Sequence, residues 1–388
     1  MTAHTRSLRW FFRQYRRISG ARAHGSEMKT GLSPVEGVQS QGGGELVTSD
    51  GDKSSATIRD VARLAGVGVG TVSRVLNNHP SVRPETRKRV LEAVRTLNYR
   101  PNPSARRLSL RKTLTIGVIV PFITNPSVTE RLRGIIMGVE STEYDLVIYN
   151  VETPQHRDRY FREVPRRERV DGLIIISLMP HDEDVRTFQA SGVPVILVDT
   201  VHSALPSVAV DDVAGGRMAT EYLMRLGHRR IAFLGDVYPN PFRFTSSYYR
   251  YLGYAHALAE VGIPLRDEYV VTGEHSRQVA YALAQRLLHL PEPPTALFAA
   301  SDTQALGVLA AAKAMGVRIP EDLSLVGYDD LEVSEYLGLT TIHQPLYESG
   351  WEAARLLLTR LQGGEVPQKH VLPLRLEERE TTRPLLQN

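Results

Sequence analysis

The chain has no cysteine and no uninterrupted apolar run of membrane-spanning length. Without a thiol there can be no disulfide framework, no thiolate zinc site and no cysteine nucleophile, and the absence fits a reducing compartment. Apolar stretches such as 114–120 and 173–176 are strand-length, so nothing in the chain is expected to span a bilayer. Phosphate-loop, zinc-protease and nucleophile-elbow patterns are missing, and the twelve histidines are scattered without metal-ligand spacing. The run Gly66-Val67-Gly68-Val69-Gly70 imitates a nucleotide loop, but Thr71 follows it and no strand-like run precedes it. An enzyme is therefore not expected, and no cofactor or metal is called for.

What is present is asymmetric charge. Residues 1–113 carry 21 Lys and Arg against 8 Asp and Glu, while the remainder carries 26 basic against 35 acidic residues. A basic head on an acidic body suggests that the head meets a polyanion, with a solvated basic tail as the competing explanation. With 388 residues, 42% of them apolar, the chain is long enough for two or three packed domains. Residues 1–55 join an Arg- and aromatic-rich stretch to a Gly-, Ser- and Gln-rich one, and this composition predicts a disordered extension. Arginines interrupt every apolar pair there, so no export signal is read and a cytoplasmic location is expected. Met28 offers an alternative start.

Three short helical patterns follow. Thr57 can cap a helix with Ile58, Val61, Ala62 and Ala65 as its apolar stripe, stopped by Gly66. Periodicity resumes at Val69 and continues through Val72, Val75 and Leu76 until Asn77, Asn78 and Pro80. Pro84 opens a third helix, with Val90, Leu91, Val94 and Leu97 expected inside. Two short helices joined through a glycine fit a helix-turn-helix, and 13 basic against 3 acidic residues between Thr57 and Lys112 fit a nucleic-acid partner.

From residue 114 onward, strand-length apolar runs alternate with helix-length segments. Strands are expected at 114–120, 145–150, 171–177, 194–198, 230–234, 295–300 and 323–327, with helices at 212–226, 250–261 and 302–315. Such near-continuous Val/Ile/Leu strands indicate parallel sheets covered on both faces, and their number implies two α/β lobes. Ligands bind outside the carboxyl ends of such strands.

The segments Thr57-Ile58-Arg59-Asp60-Val61-Ala62, Thr71-Val72-Ser73-Arg74-Val75-Leu76-Asn77 and Tyr99-Arg100-Pro101-Asn102 resemble the lactose-repressor family of bacterial transcriptional regulators. The resemblance continues in Leu226-Gly227-His228-Arg229-Arg230-Ile231, Ser301-Asp302, Gly327-Tyr328-Asp329-Asp330 and Thr340-Thr341-Ile342-His343-Gln344-Pro345. It implies an α/β protein with a three-helix head at 56–101 and a hinge helix and linker at 102–113. A two-lobed, periplasmic-binding-protein-like body at 114–388 would follow. Lobe 1 would comprise about 114–210 and 343–364, and lobe 2 about 211–342 and 365–388. The implied function is a homodimeric repressor that binds operator DNA and answers to a small effector of the carbohydrate class.

The resemblance also implies site residues. Thr71 and Ser73 would contact phosphates, Arg74 would reach base edges and Val69 could touch a thymine methyl. Thr57, Asn77, Tyr99 and Asn102 belong to the same DNA-binding set. In the hinge, Ala105 would let two hinge helices approach, Arg106 would engage backbone, and Leu108 would wedge into the central minor-groove step. Gly68 and Gly70 depart from the family pattern, and Gly70 can read nothing by side chain. In the body, Arg250 and Asp329 match effector-contacting positions, with Phe298 and Ser301 expected at a crevice-lining strand end. Ion pairing of Arg250 and Asp329 across the lobes is the competing reading. Phe122 stands where the family commonly has an acid, and either ligand stacking or core or lid packing would suit it. A solute-binding receptor would share the two-lobed body but not the helix-turn-helix.

Overall fold

The first helix is set by its own ends. In a computed structural model, which describes residues 56–76, 79–99 and 112–385, the Thr57 N–H and hydroxyl both donate to Asp60 Oδ2, at 3.0 and 2.7 Å. These bonds hold the Asp60 carboxyl below its ordinary range. They cap α1 (Ile58–Ala65), which Gly66 closes in the left-handed conformation at φ 64°. α2 (Val69–Leu76) and α3 (Pro84–Thr96) complete the head. Val61, Ala62, Ala65, Val72, Val75, Val90 and Ala93 form its core. Leu91, expected inside, is 39% exposed. The buried stripe runs through 90 and 93, one helical step of three, and leaves 91 about 100° off that face. Asn77, Asn102, Ala105, Arg106 and Leu108 lie outside the described residues, as does the extension 1–55.

The chain divides after Arg106 into two units, the second being the body. Its elements begin β1 (Thr115–Pro121), α4 (Pro126–Val139), β2 (Asp145–Val151), α5 (Pro154–Glu163), β3 (Gly172–Ile176), α6 (Asp182–Ser191), β4 (Val195–Val198) and β5 (Ser207–Ala209). There follow α7 (Asp212–Arg225), β6 (Ile231–Asp236), α8 (Ser246–Glu260), β7 (Val270–Gly273), α9 (Arg277–Leu288), β8 (Ala296–Ala299) and α10 (Asp302–Met315). The chain ends with β9 (Ser324–Asp329), α11 (Glu332–Tyr336), β10 (Thr340–His343), α12 (Leu346–Leu361), β11 (Lys369–Val371) and β12 (Arg375–Glu377).

Two six-stranded sheets result, in the orders β11-β5-β4-β3-β1-β2 and β12-β10-β9-β8-β6-β7. All pairings are parallel except β10 with β12. Each central strand is apolar on both faces because helices cover both. β1, β3 and β4 are buried at every residue. Strand order reverses between β1 and β3 in lobe 1 and between β6 and β8 in lobe 2, giving each lobe one switch point.

The lobes share a helix-crossing device. α4 meets α12 where a Cβ on Gly350 would collide with the Arg131 carbonyl and one on Gly134 with the Tyr347 carbonyl. α7 meets α8 where Gly216 and Gly253 stand against the Arg250 and Val213 carbonyls in the same manner. Only glycine permits backbone contact at these four places.

The sequence places 365–388 wholly in lobe 2, and the structure differs. Lys369–Val371 pairs with β5 in lobe 1, and the chain crosses to lobe 2 only before β12. A three-residue edge strand carries too little periodicity to reveal which sheet it joins. β5, β7, β10 and β12, at three or four residues each, were likewise not among the expected strands. His228 is buried in lobe 2, its ring nitrogens within 3.0–3.2 Å of Thr295 Oγ1, Ser324 Oγ and the Arg383 carbonyl. It ties the C-terminal segment to the sheet, and burial lowers its pKa.

Candidate functional site

In the head, α2 buries Val72 and Val75 and turns Val69, Gly70 and Arg74 outward. Thr71 and Ser73 are half-buried at the margins of that outer face. Arg74 makes no ion pair among the described residues, so its guanidinium is exposed and available. A Cβ on Gly68 or Gly70 would meet nothing within 4 Å, so the missing side chains there leave open surface rather than tight packing. Arg87 of α3 serves the fold instead. It donates to the Val75 carbonyl at 3.4 Å and the His79 carbonyl at 2.8 Å, closing the carbonyl end of α2. Two further expected DNA-binding residues are engaged locally: Thr57 caps α1, and Tyr99 packs against the three-helix core.

In the body, the carboxyl ends of the strands hold a continuous polar network. The Ser177 hydroxyl donates to Asp199 Oδ2 at 2.6 Å, and Arg131 Nη2 donates to Asp199 Oδ1 at 2.7 Å and Gln344 Oε1 at 3.2 Å. Gln344 Nε2 donates to Asp329 Oδ1 at 2.5 Å, which lies 3.8 Å from Arg250 Nη1. Arg250 Nε donates to Asp212 Oδ1 at 2.8 Å and its Nη1 to the Ala300 carbonyl at 2.6 Å. Its guanidinium lies 3.6 Å over the Tyr328 ring. The network passes from lobe 1 to lobe 2 through Gln344, which follows β10 on a segment joining the lobes, and ends at Asp212, the first residue of α7.

Burial governs the charges here. It pushes Asp212 up to about 6, against the pull of Arg250, and raises Asp329 despite Arg250 and Arg131. Burial also opposes the charge on Arg250, but Asp212, Tyr328, Asp329 and Asp199 together outweigh it and the guanidinium stays protonated. Asp302, beside the network, is pushed up to about 7 by burial and by Asp329, and accepts bonds from the Leu331 N–H, Ser334 Oγ and Thr341 Oγ1.

Backbone strain marks the same place. Phe122, Ser177, Asp199, Asp329 and Asp330 all have positive φ, between 43° and 121°, and all lie at the carboxyl end of a strand. Such conformations cost on the order of 1–3 kcal/mol each and cluster at functional sites.

The expected residues separate into three groups. Arg250 and Asp329 are together, yet buried and satisfied by protein partners; both belong to lobe 2, on α8 and β9, so their pairing lies within that lobe and not across the lobes. Ser301 caps α10, accepting from the Gln304 N–H at 3.2 Å, while Gln304 Nε2 donates to Asp236 Oδ1 at 2.9 Å. Phe298 is fully buried between Phe233 and Tyr328, so its faces are taken up by lobe 2's core. Phe122 meets Phe242 and Phe244 edge-on, at 5.2 and 6.5 Å. Those rings belong to the loop after β6, which also reaches lobe 1 through Arg243 Nη1 and His181 Nδ1 at 2.8 Å. The Phe122 ring is thus engaged in packing against that loop.

Sequence reasoning missed Arg131, Asp199, Asp212, Gln344, Asp236 and His275. Two signals were available. Asp199 and Asp236 stand at the carboxyl ends of apolar runs, and Arg131 is a charge inside the buried stripe Val128, Leu132, Ile135, Val139.

A helix-turn-helix head joined to a two-lobed, switch-point body defines a ligand-responsive DNA-binding regulator. Residues 57–102 match the family described as bacterial regulatory proteins, lacI family, and residues 220–382 match the periplasmic binding protein-like domain. The chain is 36% identical over 334 residues to catabolite control protein A of Priestia megaterium, covering 85% of this chain and 100% of that one. Among solved structures, a lac repressor dimer bound to operator and the anti-inducer ONPF superposes with a TM-score of 0.73 at 30% identity, covering 85% of this chain and 100% of that chain. A CelR–cellobiose complex gives 0.62 at 32%, covering 84% and 99%. The chain belongs to the lacI family of bacterial regulatory proteins and is a DNA-binding transcriptional regulator.

Proposed function

We propose that this protein is a cytoplasmic, homodimeric, operator-binding repressor without enzymatic activity, whose affinity for DNA is set by a carbohydrate-class effector held between the lobes. The observation that carries this reading is the buried Asp199–Arg131–Gln344–Asp329–Arg250–Asp212 network, which links the two lobes at the carboxyl ends of their strands. Any ligand that changes the lobe arrangement must act on it. The sugar in the CelR complex and the operator in the lac repressor complex support the choice of partners.

On the DNA side, the reading assigns base contact to Arg74, phosphate contacts to Thr71 and Ser73, and a methyl contact to Val69. Thr57, Asn77, Tyr99, Asn102 and Arg106 complete the DNA-binding set, Ala105 permits hinge-helix pairing and Leu108 supplies the minor-groove wedge. The body contributes Phe122, Ser301, Arg250 and Asp329 around the effector, with Phe298 supporting the wall behind Tyr328.

Selection of bound sequences from a random DNA pool, followed by titration with and without cellobiose or ribose, tests the function. One enriched, pseudo-palindromic site whose occupancy changes with a sugar is expected. Arg74→Ala should cost about 1–3 kcal/mol at one base pair of each half-site and relax the preference there. Uniform weakening on all sequences, with only the salt dependence altered, would reassign Arg74 to the phosphate backbone.

A further inference from the structure

Beside the buried network lies a second polar cluster that is open to solvent. Asp236, the last residue of β6, accepts at Oδ1 from Gln304 Nε2 at 2.9 Å and from His275 Nδ1 at 3.1 Å. Asp236 ends and Ser301 follows the two strands that flank lobe 2's switch point, β6 and β8, and His275 follows the neighbouring β7. These are the positions where a doubly wound sheet receives a ligand.

Accessibility separates the two clusters. The side chains of Arg131, Asp199, Arg250 and Asp329 are 4–10% exposed, whereas Asp236 is 24% and His275 32% exposed. Asp236 and His275 are therefore the more accessible of these polar groups, and the Arg–Asp chain lies beneath the surface as a buried floor. Both floor arginines already answer to carboxylates, Arg131 to Asp199 and Arg250 to Asp212. Asp236 Oδ2 is 3.4 Å from His275 Nδ1 and keeps capacity to accept a ligand hydroxyl. Since Nδ1–H points at the carboxylate, His275 presents Nε2 as a further polar contact.

We propose, building on the reading of the crevice as an effector site, that Asp236 and His275 are its specificity-determining edge and select uncharged, hydroxyl-rich effectors over phosphorylated or carboxylated ones. A fixed carboxylate accepts hydroxyl hydrogens from a sugar well. A phosphate or uronate would instead face Asp236 and Asp329 above arginines that are already matched, with the cationic form of His275, which those carboxylates favour against burial, already paired to Asp236. Like-charge juxtaposition of this kind weakens binding on the order of 100-fold or more. The His275–Asp236 pair also orders the ends of β6 and β7, so a purely structural role is the alternative to be separated.

The test is calorimetric titration of the full-length protein with glucose, ribose and cellobiose, and with glucose 6-phosphate, ribose 5-phosphate and glucuronate, alongside melting curves. The proposal expects at least one neutral sugar to bind and its charged counterpart to bind on the order of 100-fold more weakly. Asp236→Asn should weaken the neutral sugar and narrow that gap with the melting temperature nearly unchanged. His275→Gln should weaken the neutral sugar alone, and serves if the first variant melts early. Equal or tighter binding of the charged counterparts overturns the proposal while leaving the effector reading intact. So does an unchanged gap in Asp236→Asn. If neither class binds or shifts operator affinity, the carbohydrate reading itself fails and the proposal falls with it.

Discussion

Arg250→Ala is expected to lower the stability of the body by about 3–5 kcal/mol, because it leaves a buried carboxylate without its partner. Arg250 is 5% exposed and bonds Asp212 and the Ala300 carbonyl while covering the Tyr328 ring. Asp212 already sits at about 6, above its ordinary 3.8, because of burial. Loss of the guanidinium, which holds it down, raises it further. A carboxyl whose folded pKa exceeds its unfolded value binds more protons when folded, so its contribution to stability falls as pH rises from about 4 through the folded pKa. The deficit of the variant relative to the parent should therefore be smaller at pH 5 than at pH 8. Urea unfolding at the two pH values measures this. A deficit under about 1 kcal/mol, or one independent of pH, would mean that Asp212 does not depend on Arg250 in the folded body.

The second large effect concerns the glycine crossings. Gly350→Val should destabilise lobe 1 by more than about 3 kcal/mol, since the new Cβ would occupy the space of the Arg131 carbonyl and force α12 away from α4. Helix α12 supplies Ala353, Ala354, Leu356 and Leu357 to the lobe 1 core, so that displacement opens the core as well. Gly216→Val should do the same between α7 and α8. Gly316→Ala is the control. Gly316 has φ 68° but open space around it, so the substitution should cost only about 1 kcal/mol. Calorimetric melting of the three variants distinguishes a spatial requirement from a conformational one, and equal losses in all three would discount the crossings.

Much of the architecture was legible before any coordinates. The cap at Thr57, the stop at Gly66 and the stripe Val61, Ala62, Ala65 are local, and local chemistry suffices for them. The buried strands could be read because both faces must be apolar beneath two layers of helix. The candidate site was read less well. Phe298 was expected at a ligand, yet strand alternation turns it into the core, between Phe233 and Tyr328. Arg250 and Asp329 stand 3.8 Å apart, but the partners that satisfy them, Asp212 and Gln344, lie 38 and 15 residues away in sequence.

By itself the sequence determined the division into a basic helix-turn-helix head and a two-lobed α/β body, because periodicity, caps and charge balance act over a few residues at a time. Only the tertiary structure decided which charges are structural and which are open to a ligand. Position in the chain marks Arg131 and Asp236 as charges beside apolar runs, but the first is buried while the second stays partly exposed because of what the folded lobes bring against them. The allegiance of Lys369–Val371 was decided in the same way, for a three-residue strand is held by the hydrogen bonds of its neighbour rather than by any pattern of its own.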